Sequence, residues 1–308
     1  MTQLQAPLAD CGAPDTGRAH FLRASDGTTI RVAHWPGDRH VMILPGRTEY
    51  IEKYGLVIAD LAKAGWGALA IDWRGQGLSD RLHPDPLLGH VDHFRDYQHD
   101  LDAFQAYADT VAPGPKPWLA HSMGGCIALR GLTRGKTVPT IAFSAPMLGL
   151  AQPPLQLFAL RTLSTLLRPF GLDKRYAPTT GPAFGLPSMG FGDNNLTSDP
   201  DQFDRMKAQI TNDPALSLGG PSLRWLAEAS TEMSALATLA SPQVPALFGL
   251  GSDEAIVAPQ AIRDRTGNWA HSSLQDYDGA KHELTMERPD VRQDFLSRAL
   301  AMFDQQTR

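Results

Sequence analysis

The chain has 308 residues, of which 42% are hydrophobic, so it can bury a sizeable core without disulfides or bound metal. It carries 28 lysine and arginine residues against 33 aspartate and glutamate residues, and this net charge of −5 excludes the basic footprint of a nucleic-acid-binding protein. Glycine and proline follow no repeat, which excludes collagen and bulk disorder. Because the sequence shows neither a secretory signal nor a transmembrane span, we expect a cytoplasmic protein.

Short apolar runs alternate with helical patterns in the first half of the chain. The first 18 residues are polar and rich in proline and glycine, and we expect them to form a mobile arm. Strands are predicted over residues 20–23, 28–35, 41–44, 67–73, 117–120 and 140–143. Helices are predicted over residues 50–64, 94–107 and 125–130. Strands that alternate with helices in this way are typical of a parallel α/β sheet.

The alternation stops near residue 146 and resumes near residue 242. Between these points, helical patterns occupy residues 155–170, 203–210 and 223–239, and no clear strand interrupts them. Two further strands are predicted at residues 244–250 and 274–277, and two further helices at residues 259–265 and 288–303. We therefore predict one discontinuous core, residues 1–145 and 242–308, with residues 146–241 inserted as a helical cap.

Ser122 lies at the centre of the sequence AHSMG, after a predicted strand and before a predicted helix. A serine at a sharp strand-to-helix turn needs small residues two positions before and after it, because its backbone is strained. An alanine and a glycine meet this requirement here. Similar patterns surround Ser188 and Ser217, but neither of these serines follows an apolar strand. Ser122 is therefore the predicted nucleophile.

A serine nucleophile needs a neutral imidazole to accept its proton and an acid to orient that imidazole. For a nucleophile at such a turn, the chain order is serine, acid and then histidine. His282 follows the last predicted strand, whereas His271 precedes it, so His282 is the predicted base. The acid is expected in the loop after the strand at 244–250, where Asp253 and Glu254 are adjacent and the loop composition does not separate them.

The negative charge that develops on the substrate carbonyl oxygen needs two N–H donors. One predicted donor is the N–H of Met123, directly after the nucleophile. The other is the N–H of Arg47, in the loop after the strand at 41–44, because Gly46 lets this backbone approach the substrate closely. We also expect Gly46 and His121 to contact the bound substrate.

Five segments, in this order and spacing, resemble the lysophospholipase and monoacylglycerol-lipase branch of the α/β hydrolases: LPGRTEYIEKYG, IDWRGQGLSD, HSMGG, GSDEAIVAP and GAKHELTMERP. The resemblance extends from about His20 to Phe303. It implies an α/β fold with an eight-stranded, mostly parallel sheet, a helical cap over the active site, and ester hydrolysis without a cofactor. In this family the acid follows a glycine at fixed spacing, and Gly251 at that spacing implies Glu254 rather than Asp253.

The chain departs from the family pattern at three positions. Pro45 stands where the family usually has a histidine before the oxyanion glycine, and Ala120 replaces the usual glycine. If Glu254 is the acid, it stands where the family usually has an aspartate. None of these departures removes a group that the chemistry needs.

The resemblance and the predicted triad together imply a serine ester hydrolase for lysophospholipids or monoacylglycerols. One alternative is an aminopeptidase, which would need cap carboxylates such as Glu228 and Glu232 to hold a free amine. Another is a lipid-binding module without catalysis. The spacing of His90, His93 and His99 fits no zinc pattern, so we expect no metal site. The oligomeric state does not follow from the sequence.

Apolar side chains recur at helical spacing along residues 155–170, with Arg161, Ser164 and Arg168 on the opposite side. This pattern predicts a cap helix that packs its apolar stripe on its neighbours. The alternative is a lid that contacts acyl chains or a membrane surface.

Overall fold

The computed structural model describes residues 4–183 and 185–307. Its centre is a sheet of nine strands in the order β1-β2-β3-β5-β4-β6-β7-β8-β9. The strands are β1 Leu4–Ala6, β2 Arg18–Arg23, β3 Thr29–Trp35, β4 His40–Leu44, β5 Gly67–Asp72, β6 Trp118–His121, β7 Ile141–Ser144, β8 Ala246–Gly251 and β9 Ser272–Tyr277. The pairs β1–β2, β2–β3 and β3–β5 are antiparallel, and the remaining neighbours are parallel.

Helices pack on both faces of the sheet. They are α1 Gly55–Lys63, α2 Tyr97–Val111, α3 Ser122–Thr133, α4 Pro154–Leu167, α5 Pro200–Asn212, α6 Leu223–Ala237, α7 Pro259–Gly267 and α8 Pro289–Gln306. Alternate residues of β5 show the two faces. Leu69 and Ile71 join a core with α2 and α3, whereas Ala68 and Ala70 join a core with α1 and α8. The predicted α/β class is confirmed.

From Leu4 onward the N-terminal segment is anchored, contrary to the expectation of a mobile arm. β1 pairs with β2 and becomes the ninth strand, where the family resemblance implies eight. The indole N–H of Trp35 donates to the carbonyl oxygen of Pro14 over 2.9 Å, and Cys11 is buried. A sequence pattern misses this anchoring because backbone carbonyls, which every residue carries, make the contacts.

The carboxyl ends of β4, β6 and β8 meet at one edge of the sheet. Leu44 pairs with Ala120 across β4 and β6, so the loop that begins at Pro45 starts beside the turn at Ser122. β8 ends at Gly251, three residues before Glu254, and β9 pairs with it in parallel. Loops after parallel strands at this edge are the usual ligand sites of α/β sheets.

Residues 145–245, which we call the inserted segment, connect β7 to β8 and contain α4, α5 and α6. Because β7 and β8 pair directly, the inserted segment stands outside the sheet. It is hydrogen-bonded to the core at several points. Gly89 N donates to the carbonyl oxygen of Gly220 over 3.0 Å, and the indole N–H of Trp225 on α6 donates to the hydroxyl of Tyr97 on α2 over 3.0 Å.

The apolar stripe of α4 faces solvent rather than its neighbours. Leu155, Phe158 and Leu166 are 78%, 65% and 66% exposed, whereas Ser164 from the polar side is 4% exposed. The expected packing of the stripe is therefore wrong. Periodicity identified the helix but not which of its sides faces the protein. Among the residues that the structure describes, no helix combines the length and apolar character needed to cross a bilayer.

Candidate active site

Ser122 is the first residue of α3 and directly follows β6. Its φ of +47° lies in the left-handed region, which non-glycine residues rarely adopt. Gly124 allows the turn to pack tightly, since a Cβ at this position would lie 2.1 Å from the carbonyl oxygen of Leu44. The first turn of α3 therefore lies against the end of β4, in the strand–turn–helix arrangement that the sequence predicts.

The structure brings Ser122, His282 and Glu254 together in a chain of hydrogen bonds. Ser122 Oγ lies 2.9 Å from His282 Nε2, and His282 Nδ1 lies 2.6 Å from Glu254 Oε2. Because Glu254 lies beside Nδ1, the neutral imidazole carries its proton there and leaves Nε2 free to accept the serine proton. All three side chains are shielded from solvent.

The two candidate acids occupy different environments. Glu254 Oε1 accepts the N–H groups of Ile256 and Val257 at 2.7 and 3.0 Å. Burial raises the pKa of Glu254, but the bonds from His282 and from these N–H groups outweigh burial and hold the pKa below its usual range. Asp253 is exposed and accepts a hydrogen bond from the Ser252 hydroxyl over 3.1 Å.

The loop after β4 lies against Ser122. A Cβ on Gly46 would lie 3.2 Å from Ser122 Cβ, which fits the predicted close approach of this backbone. The N–H groups of Met123 and Arg47 donate to no other group in the described part of the chain, whereas the N–H of Gly46 donates to the Glu49 carboxylate. Two N–H groups near Ser122 thus remain available to a ligand.

His121, predicted to contact substrate, is buried between the base and the end of β7. Its Nδ1 donates to the carbonyl oxygen of Ser144 over 2.9 Å, and its ring centroid lies 4.7 Å from that of His282. Burial lowers the pKa of His121 to about 4, although the nearby Glu49 favours the charged form. In the structure this side chain packs beside His282, and its contact with substrate stays a prediction.

Comparisons with known proteins agree with this geometry. A family model described as "Serine aminopeptidase, S33" matches residues 36–289, which is most of the chain. The chain belongs to this family. Lysophospholipase L2 of Escherichia coli K12 is 34% identical to it over 270 residues, covering 83% of this chain and 77% of that protein. Probable lysophospholipase L2 of Haemophilus influenzae is 28% identical over 263 residues, covering 84% and 82% respectively.

Solved structures of lipases share the architecture. A soluble variant of monoglyceride lipase from Saccharomyces cerevisiae, in complex with a substrate analogue, aligns with a TM-score of 0.74 and 20% identity, covering 98% of this chain and all of that one. Monoacylglycerol lipase of Paleococcus ferrophilus aligns with a TM-score of 0.66 and 19% identity, covering 89% and 98%. At these identities the likeness shows the fold, and the predicted α/β-hydrolase fold is confirmed. The motifs and relatives place the chain in the lysophospholipase and monoacylglycerol-lipase branch.

This member of the serine aminopeptidase family also has a buried charged cluster beside the site, which the sequence did not reveal. Lys53 Nζ lies 2.8 Å from Glu49 Oε1 and 2.7 Å from Glu283 Oε1, and all three side chains are buried. Glu49 also accepts the Tyr54 hydroxyl over 2.7 Å. The cluster links the loop after β4 to the residue after His282. The only sequence signal was the i,i+4 spacing of Glu49 and Lys53, which normally marks an exposed helix surface.

Within the described residues, Glu49, His121 and Glu283 have ligand atoms within 4.8 Å of one another, close enough to share a metal ion. The Lys53 ammonium already supplies a positive charge to both carboxylates of this group. The three histidines considered from sequence have separate partners: His90 contacts Ser222, His93 lies near Glu228, and His99 contacts Ser25.

The carboxylates considered for holding an amine are both engaged with cations. Glu232 is paired with Arg130. Glu228 lies 3.4 Å from Arg168 and 3.6 Å from His93, and it accepts the Phe94 N–H over 3.3 Å. The name of the family therefore does not by itself identify an amine site in this chain.

Proposed function

We propose that this protein is a serine hydrolase that cleaves the acyl ester of single-chain lipids, lysophospholipids or monoacylglycerols. The observation that carries the proposal is the hydrogen-bonded sequence Ser122–His282–Glu254 at the strand–turn–helix. The relatives named lysophospholipase L2 and the lipases of the same fold supply the substrate class. We assign Ser122 as nucleophile, His282 as base and Glu254 as the acid that orients it.

In the proposed reaction, the Ser122 hydroxyl oxygen attacks the ester carbonyl carbon while His282 Nε2 takes the hydroxyl proton. The carbon–oxygen bond to the glycerol breaks, the imidazolium returns the proton to that leaving oxygen, and the acyl group remains on Ser122. A water molecule, deprotonated by the same imidazole, then releases the fatty acid and restores the hydroxyl. We assign the N–H groups of Met123 and Arg47 as donors to the oxyanion.

A fluorophosphonate probe combined with a lipid panel tests this proposal. We expect the probe to label Ser122 and the enzyme to release fatty acid from lysophosphatidylcholine or monoacylglycerol. Ser122→Ala should abolish both. Ser217→Ala is the matched control, since Ser217 lies in a similar motif without the turn, and it should retain both. Labelling that persists in Ser122→Ala would contradict the assignment.

The same panel separates the two alternatives. An aminopeptidase would cleave amino-acyl amides faster than esters, but the pairing of Glu228 and Glu232 with cations disfavours this outcome. A lipid-binding module without catalysis would bind the lipids, release no fatty acid and leave the probe unreacted.

We also propose that residues 146–241 form a cap over the site and that α4 contacts lipid aggregates. Leu155, Phe158, Leu166 and Phe170 are 65–78% exposed, and Arg168 and Arg175 lie in the same region with accessible charges. An apolar helix surface bordered by cations suits a peripheral contact with an anionic bilayer.

Sedimentation with vesicles of phosphatidylcholine and phosphatidylglycerol tests this contact. Phe158→Ser removes an exposed aromatic ring and should weaken binding about tenfold, because inserting such a side chain contributes 1.5–3 kcal/mol by the usual rough estimate. Leu239→Ser, two residues after the end of α6, also changes an exposed apolar side chain; it is the matched control and should bind like the wild type. Equal binding by Phe158→Ser and the wild type would contradict the proposal.

A further inference from the structure

Arg47 is partly buried and, like Arg265 but unlike most of the buried arginines, it has no carboxylate partner among the described residues. Arg31, Arg74 and Arg224 each contact two carboxylates at 2.5–2.8 Å. In the described part of the chain, no carboxylate lies within ion-pair distance of Arg47. Its Nη2 donates to the carbonyl oxygen of Gly219 over 2.8 Å, and its buried Nε has no acceptor among the residues that the structure describes.

The guanidinium lies where three segments of the chain meet. Arg47 directly follows Gly46, whose backbone contacts the nucleophile. The Arg47 side chain extends to Gly89, where an added Cβ would lie 2.2 Å from Nη2, and its guanidinium carbon lies 5.1 Å from the ring centre of Trp225 on α6. The Arg47 guanidinium therefore lies within one side-chain length of the loop backbone that approaches Ser122.

A buried cation without a counter-charge is costly unless a ligand supplies one. Burial lowers the pKa of Arg47 to about 10, so the group remains charged at neutral pH. Within the part of the chain that the structure describes, the Gly219 carbonyl oxygen is its only acceptor, and a guanidinium presents its donors in a planar fork that matches two phosphate oxygens.

We propose that Arg47 binds the headgroup phosphate of a lysophospholipid whose ester carbonyl lies at Ser122. This inference rests on the proposed function and deepens it, because it names the phosphate-bearing lipids as the favoured substrates. A lysophospholipid carries its phosphodiester anion on the same glycerol as the ester, whereas a monoacylglycerol carries a neutral hydroxyl there. Arg47 then favours the first class over the second.

The alternative is a structural role, in which Arg47 only holds the inserted segment to the core through its hydrogen bond to Gly219. Arg81 provides the matched control for that role. It donates to the carbonyl oxygens of Ala215 and Ser217 at 2.6 and 3.4 Å, in the same stretch of chain, and within the described ranges it also has no carboxylate partner. Arg81 is outside the loop that contacts Ser122. An effect that came only from holding the inserted segment would therefore appear equally in both arginine variants.

The test compares lysophosphatidylcholine with monoacylglycerol of the same acyl chain, both presented in the same detergent micelles. The measured quantity is kcat/KM for lysophosphatidylcholine divided by kcat/KM for monoacylglycerol. In Arg47→Met we expect this ratio to fall by about 10- to 100-fold, the size expected for lost charge-assisted hydrogen bonds. Arg47→Lys keeps the charge without the fork and should give a smaller fall. Arg81→Met should keep the wild-type ratio. Thermal melting checks that each variant folds.

An unchanged ratio in Arg47→Met, or an equal change in Arg81→Met, would overturn the proposal. A second readout does not depend on lipid turnover. Glycerophosphocholine should slow the labelling of Ser122 by the fluorophosphonate probe in wild type and in Arg81→Met, but not in Arg47→Met. If the wild type cleaved neither lipid, the proposed function would fail, and this protection would still decide whether Arg47 binds the headgroup. Equal protection by inorganic phosphate would indicate a free-phosphate site and overturn the headgroup assignment.

Discussion

Lys53 donates to Glu283 over 2.7 Å, and this ion pair joins the chain segment after the β4 loop to the residue that follows His282. The same ammonium neutralises Glu49, whose carboxylate accepts the Gly46 N–H in the loop beside Ser122. One buried cation therefore connects the loop assigned to the oxyanion with the loop that carries the assigned base.

Removing this cation should destabilise the protein and slow the reaction. Lys53→Met leaves two buried carboxylates without their partner, and breaking a buried pair in this way costs about 3–5 kcal/mol. Urea unfolding measures that cost, and fatty-acid release should show a fall in kcat larger than any change in KM. Lys63→Met is the control, because its pair with Asp60 is exposed and contributes at most about 1 kcal/mol. Equal unfolding free energies for the two variants would contradict the role of the cluster.

The geometry around His282 predicts different results for the two adjacent acids. Glu254→Gln removes the charge that orients the imidazole and should lower kcat by about 10³- to 10⁴-fold. Asp253→Asn changes an exposed side chain and should leave kcat within about twofold of wild type, because surface groups away from the site contribute little. Steady-state kinetics on one ester substrate decide the assignment, which would fail if the two variants exchanged these results.

Gly124 should tolerate no side chain. In Gly124→Ala the new Cβ would lie 2.1 Å from the carbonyl oxygen of Leu44 and 2.5 Å from that of Pro45, so the turn must shift. We expect a loss of unfolding free energy of about 2 kcal/mol or more, together with a lower rate of probe labelling at Ser122. Gly267→Ala is the control, since nothing lies within 4 Å of its added Cβ. A Gly124→Ala protein as stable and as reactive as wild type would contradict the tight packing described here.

Buried histidines predict a loss of stability on mild acidification. Burial lowers the pKa of His90 to about 4 from the ordinary 6.5, although Asp92 favours its charged form. Between these two pKa values the unfolded state binds a proton at His90 that the folded state excludes. The free energy of unfolding is therefore unaffected by His90 above pH 6.5 and decreases as the pH falls toward 4. Urea unfolding at several pH values between 6 and 4.5 should show that His90→Asn reduces the pH slope by about 1.4 kcal/mol per unit, the value for one proton.

The matched control for that slope is the exposed His271. His271→Asn should leave the pH dependence of the unfolding free energy as it is in wild type. If His90→Asn and His271→Asn gave the same slope as wild type, burial of His90 would not be the cause of the acid sensitivity.

Local sequence rules predicted β2 to β9 and the turn at Ser122, because each depends on a short pattern, but they missed β1. The apolar run of β6 and the small residues around Ser122 are such patterns. The acid needed more than the loop composition, since only the family resemblance favoured Glu254 over Asp253. The position of the Glu254 side chain against His282 depends on where β8 and β9 place their loops, which no local pattern encodes.

Local sequence patterns also failed to predict the burial of the Glu49–Lys53 pair and the exposure of the apolar side of α4. Charged residues at helical spacing usually face water, but Glu49 and Lys53 are buried because Glu283, from the other end of the chain, lies beside them. The apolar side of an amphipathic helix usually faces a core, but in α4 Ser164 is buried while Leu155, Phe158 and Leu166 face solvent. In both cases the partner surface, distant in sequence, decides which side is buried.

The N-terminal arm has a mechanical consequence for the inserted segment. The carbonyl oxygen of Cys11 accepts a hydrogen bond from Arg205 on α5, and the same carbonyl group packs on Gly55 at the start of α1. The N-terminal arm thus links α5 to the core, and these two contacts do not involve α4. Moving α5 away from the core must therefore break this hydrogen bond, whereas a displacement of α4 alone would leave it in place.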